Sequence, residues 1–215
     1  MSGAIGGELT ALARRFWSLL GARRSHDTLN ESLPDNVLQL KVTLLEVEPP
    51  VWRRLVVPAG ITLAKLHRIL QIAMGWTDSH MHAFSAYPGW GSRGKVSVLA
   101  RALLKDEKQA TLRDVAGEFK KWFYEYDFGD GWTHEIKIEK APNPEGGVSH
   151  AVCTGGARAC PPDDIGGPPG YEDFLVGLAD PKHEMHEEYK EWIGGTFDPE
   201  AFSFEKVNAL LKRVK

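Results

Sequence analysis

Residues 37–75, VLQLKVTLLEVEPPVWRRLVVPAGITLAKLHRILQIAMG, decide the fold. Apolar and polar residues alternate from Val37 to Val47, the period of a strand with one buried face. Pro49-Pro50 turns the chain, and VWRRLVVP (51–58) reads as a second strand, so the pair predicts a β-hairpin. Thr62 then offers an N-cap. Leu63, Leu66, Ile69, Leu70 and Ala73 form an apolar stripe at helical spacing, and Gly75 ends it. A hairpin followed by a helix predicts an α+β domain with a β-grasp-like opening.

Working outward, residues 80–87 read as a strand on which His80, His82, Phe84 and Ala86 share a face. Residues 88–110 read as a loop with a broken strand, and Thr111 to Glu118 as a short helix. KWFYEYDF and WTHEIKIEK flank a GDG turn signal, which predicts a second antiparallel β-pair with His134, Ile136 and Ile138 on one face. Glycine and proline crowd residues 141–170, predicting a long ordered loop or clasp. C-terminal helices follow: Tyr171 to Leu178, one opened by Pro181 and running through Trp192, and Phe204 to Val214. Residues 1–36 differ in composition from the rest. They read as an accessory amphipathic helix within 8–20 on a polar linker, flanked by Arg14, Arg15, Arg23 and Arg24; packing on its own domain is the plainer account, with docking to a protein partner or an anionic surface, or a disordered tail, as the alternatives. The main domain then spans 37–215.

The chain has 215 residues, enough for one substantial core, and its formal charge of −3 supplies no global field to hold a polyanion. No apolar run reaches the roughly 18 residues of a membrane span, and the N-terminus lacks the pattern of a secretory signal. Two cysteines do not make a disulfide framework, so a reducing cytoplasm is the expected compartment.

Four motifs, YDFGDGWTH (126–134), CTGGARACPPDDIGGPPGYEDFL (153–175), DPKHEMHEEYKEWIGG (180–195) and FDPEAF (197–202), together resemble the Ri-plasmid third-open-reading-frame family. Its members are also labelled mobile-element passenger TnpR proteins. The opening LKVTLLEVEPPVWRRLVVPAGITLAKLHRILQIAMGW (40–76) is similar to that family as well, so the likeness runs from about Val37 to the C-terminus. The resemblance implies a compact α+β domain carried by plasmids, transposons and bacterial chromosomes, with no enzymatic activity established for it. It also implies two departures: Asp163 stands where glutamate is more usual, and Met185 stands between two histidines where glutamate is common. A serine recombinase would need a nucleophilic serine among arginines and a DNA-reading helical domain. No such arrangement stands here, so the TnpR label carries no resolvase activity.

The residues themselves support three chemistries. Cys153 and Cys160 with His183 and His186, the latter pair at i and i+3, could supply a closed tetrahedral zinc site. Small cysteines in a Gly-rich loop and histidines capping a helix are the plainer account. His80, His82, His134, Asp127, Asp130, Asp163 and Asp164 could converge if the two β-pairs share one sheet, giving a metal that activates water for hydrolysis. Asp130 also suits the turn, and Asp163-Asp164 suits a turn or helix cap. Trp52, Trp76, Trp90, Trp122, Trp132 and Trp192, with Arg53, Arg54, Lys120 and Lys121 close by, could stack single-stranded nucleic acid, and Lys206, Lys212, Arg213 and Lys215 form the better basic patch for its phosphates. Core or turn anchors are the plainer account of most of the tryptophans, and the acidic segment 180–191 opposes phosphate. GGPPG lacks the N–H groups of a phosphate loop. The leading expectation is a non-enzymatic accessory or interaction protein of mobile-element ancestry, with a metal-dependent hydrolase and a nucleic-acid-binding factor as alternatives.

Overall fold

The computed structural model describes residues 36–88, 106–140 and 148–214. The expected helix over 8–20, Trp90 and Lys215 lie outside the described residues.

β1 (Val37–Leu44) pairs antiparallel with β2 (Trp52–Pro58), and α1 (Leu63–Met74) follows, so the hairpin-then-helix opening is present. Thr62 Oγ1 accepts the Lys65 N–H at 3.2 Å, while Gly75 ends the helix at φ 106°, a left-handed conformation suited to glycine. The remaining elements are β3 (His82–Ser85), α2 (Leu112–Glu118), β4 (Lys121–Tyr126), β5 (Trp132–Glu139), β6 (Val152–Ala157), α3 (Gly167–Ala179), α4 (His186–Ile193) and α5 (Phe204–Leu211). One antiparallel sheet takes the order β3-β4-β5-β1-β2-β6. The two predicted β-pairs are joined where β1 lies against β5, with Leu44 opposite His134.

Alternation sets the two faces of the sheet. Leu40, Val42, Leu44, Leu55, Val57, Trp122, Tyr124, Tyr126, His134 and Ile136 are buried. The alternate positions form a charged outer face: Glu139 meets Arg54 at 2.7 Å, and Glu135 meets Lys121 and Lys137 at 3.0 and 2.7 Å. Arg53 is the exception inward. Its guanidinium donates to the carbonyls of Ala73, Trp52, Ala157 and Arg158 at 2.7–2.9 Å and stacks over Phe202, so every donor group is engaged while burial lowers its pKa.

β3 (His82–Ser85) is shorter than the sequence reading and α5 ends earlier, at Leu211, and larger differences lie in the clasp and the C-terminal helices. β6 lies inside the Pro/Gly-rich clasp and pairs with β2 across an irregularity between Arg54 and Leu55. Its VCTGGA carries no alternation, because Gly156 is a packing glycine: a Cβ there would sit 2.6 Å from the Phe202 ring and 2.8 Å from the Trp52 carbonyl. α3 starts at Gly167 rather than Tyr171, since prolines at its first positions forgo N–H groups that have no helical partner. α4 starts at His186 rather than Pro181, because tight turns (His183 N–H to Asp180 O, His186 N–H to His183 O) occupy the intervening residues.

Candidate functional site

Three segments meet at one end of the sheet's inner face: the chain leaving α1 (76–80), the β4–β5 turn (127–131), and the clasp (161–167). Trp76 packs on Tyr126 and His134 and donates its indole N–H to the Pro161 carbonyl at 3.0 Å. Thr77 donates to Asp163 Oδ2 at 3.0 Å. The Gly166 N–H donates to Asp130 Oδ2 at 3.1 Å, which ties the clasp to the turn.

Within this junction His80, Asp127 and Asp164 present ligand atoms that all lie within 4.8 Å of one another. His80 Nε2 is 3.7 Å from Asp127 Oδ2 and 3.3 Å from Asp164 Oδ1. Asp127 divides its two oxygens. Oδ1 accepts the Gly129 N–H at 2.9 Å and the Asp130 N–H at 3.4 Å, holding the turn, and Oδ2 faces the histidine. The Asp127 side chain is 10% exposed and that of Asp164 is 73%, so one carboxylate is built into the fold and the other looks into solvent. Both residues take left-handed φ values, 53° and 60°, which aspartate tolerates better than most residues. Beside them, Asp163 Oδ1 is buried with no hydrogen-bond partner among the described residues. Burial raises the Tyr126 pKa, with the Asp163 charge adding to the shift, and the Tyr126 oxygen accepts the Ser79 N–H at 3.2 Å.

The other predicted site residues go elsewhere. His80 precedes β3 rather than sitting in it. His82 stacks at 3.5 Å on His67 and pairs with Glu107 at 3.1 Å. His134 is fully buried, its Nδ1 hydrogen-bonded to the Tyr124 carbonyl, and burial lowers its pKa to about 4. Asp130 serves the turn–clasp contact described above.

The four candidate zinc ligands, Cys153, Cys160, His183 and His186, are not brought together as one group among the described residues. Burial pushes both thiols up, away from the thiolate form. Cys153 is bracketed by Asn208 of α5, which accepts its N–H and donates to its carbonyl. His183 Nδ1 accepts the Met185 N–H, and His186 is hydrogen-bonded to the Gly177 carbonyl, so these two histidines shape the α3–α4 turn.

The sequence reading passed over His67, whose ring bonds to the Tyr124 hydroxyl at 2.8 Å and to Asp78 at 2.7 Å. Burial and then His82 lower its pKa. The available signal was its place on the buried stripe of α1 between Leu63 and Leu70, where Gln71 also falls. Trp76, Trp122 and Trp132 are core residues and offer no stacking platform.

Asp164 also opens onto a groove of 420 Å³ lined by Ile165, Glu188, Tyr189, Glu191 and Trp192.

A mostly one-sided antiparallel α+β sheet, with a turn and clasp that bring carboxylates to a histidine, defines the class. Within it, the chain belongs to the plasmid pRiA4b ORF-3-like protein family, whose pattern matches residues 36–206 and bears out the resemblance seen in the motifs. It is 42% identical over 182 residues to the uncharacterized protein y4hQ of Sinorhizobium fredii, a match covering 80% of this chain and 89% of that one. A crystal structure of a protein of unknown function, MM3350 from Methanosarcina mazei Go1, is similar at a TM-score of 0.67 and 37% identity, covering 79% of this chain and 96% of that one. Among the described residues no helix is long and apolar enough to cross a membrane.

Proposed function

We propose that the protein holds one divalent metal ion through His80, Asp127 and Asp164 and uses it to activate water for hydrolysis. The observation that carries this reading is the gathering of three ligand atoms from three separate segments within 4.8 Å. An ion bound at about 2.0–2.2 Å from each ligand needs neighbouring ligand atoms about 3–3.6 Å apart, close to the His80 distances. One imidazole with two carboxylates suits zinc or manganese. Three protein ligands would leave a further position for water, whose pKa zinc would bring to about 7. The accessory-module reading rests on residues 8–20, outside the described residues, and the nucleic-acid reading loses its buried tryptophans. The hydrolase reading therefore has the most support.

Elemental analysis of untagged protein purified without chelator is expected to find about one zinc or manganese per chain. Asp127→Asn keeps an oxygen for the turn amides while removing the ligand charge. It and Asp164→Asn should each lose the metal together with hydrolysis of a panel of esters, amides and phosphoesters, whereas His82→Gln should retain both. A folded protein without metal, or metal content unmoved by both aspartate changes, would overturn the reading.

A further inference from the structure

The groove beside Asp164 has a chemistry of its own. Its lining carries three carboxylates, Asp164, Glu188 and Glu191, two aromatic rings and Ile165, with no basic side chain. The nearest cation in sequence, Lys190, is turned to Glu187 at 3.2 Å. The aromatic wall is held in place. The Tyr189 hydroxyl donates to the Asp173 carboxylate, and its ring lies over Gly177, where a Cβ would come within 2.7 Å. Both Tyr189 and Trp192 set their rings against Phe174, at 5.3 and 5.8 Å, yet Trp192 remains 46% exposed. α4 has no fully buried residue: Tyr189 and Trp192 lean one side on Phe174, while Glu188 and Glu191 are exposed.

Aromatic rings beside carboxylates attract an organic cation, through the ring quadrupole and through charge. A volume of 420 Å³ falls in the range of small-molecule sites, roughly 300–1,000 Å³. We infer that this groove is the substrate subsite of the proposed metal centre and takes a small organic cation bearing an alkylammonium or alkylguanidinium group. The inference rests on the hydrolytic reading for the word substrate. Asp164 supplies the link: as a ligand its charge is matched by the metal, which leaves Glu188 and Glu191 to face the cation.

Calorimetric titration of the full chain with agmatine, and separately with the peptide acetyl-Gly-Arg-Gly-amide, tests it. Agmatine should bind saturably and weaken with salt. Glu188→Gln/Glu191→Gln should weaken it on the order of tenfold, and Trp192→Ala roughly threefold to fivefold, with metal content unchanged. Glu188 and Glu191 are exposed and Trp192 is partly so, and circular dichroism of each variant checks that the fold is kept. No saturable agmatine binding, binding equal in all variants, or binding of the peptide alone would each overturn the inference. Metal content read on the same samples separates the two proposals. Metal-free protein that binds agmatine through Glu188 and Glu191 upholds the cation groove and overturns the hydrolytic reading, whereas metal-loaded protein that ignores agmatine overturns the groove alone.

Discussion

His134 sits on the inner face of the sheet between Tyr124 and Trp76, and its Nε2 has no hydrogen-bond partner among the described residues. Burial holds its pKa at about 4, against an ordinary 6.5. Between those values the unfolded chain binds a proton that the folded chain refuses, so stability is full above pH 6.5 and falls as the pH drops toward 4. His67, lowered first by burial and then by His82, acts in the same direction. Urea unfolding should show the wild-type protein losing about 2–3 kcal/mol more than His134→Gln between pH 7 and pH 4.5. Identical pH dependence in the two proteins would refute this. That His134 is buried was readable only as a strand-face position, because period two names a face without saying what covers it. Trp76, which covers it, comes from the far end of α1.

At the scale of elements, the clasp is the part that the sequence left open between loop and ordered structure. It supplies β6 to the sheet and the start of α3, and it carries Asp163 and Asp164 to the β4–β5 turn. Gly167 makes that approach feasible. It has φ 71°, and a Cβ there would lie 2.4 Å from the Asp130 carbonyl oxygen. Gly167→Ala should therefore push the clasp off the turn, costing about 1–3 kcal/mol of stability. It should also weaken metal binding by about tenfold to a hundredfold as Asp164 moves. Gly60→Ala, with nothing within 4 Å of the added carbon, is the control. Metal titration checks both, and an unchanged affinity in Gly167→Ala would mean that the clasp does not position Asp164. Helix ends that depend on a cap, such as Thr62 and the Thr111–Asp114 capping box, matched the sequence because the signal is local. The starts of α3 and α4 did not, since Pro-led turns and helices share the same residues.

For the whole molecule, the position of β1 matters most. It is paired on both sides, by β2 and by β5, so neither side of β1 is open to a further strand. A chain beginning at Pro34 should melt within about 2 °C of the full protein and bind the same amount of metal. Aggregation, or a clearly lower melting temperature, would show that residues 1–33 belong to the core.

The sequence by itself determined the two hairpins, the capped helices and the α+β class, because strand period, caps and turn residues act over a few neighbouring residues. It also carried the family, through motifs spread along most of the chain. Only the tertiary structure decided that the hairpins share one sheet, that a glycine-rich stretch makes its edge, and that His80, Asp127 and Asp164 converge while Cys153, Cys160, His183 and His186 disperse. Such contacts join residues far apart in the chain. They are selected by which buried faces pack together, and no local pattern encodes that choice.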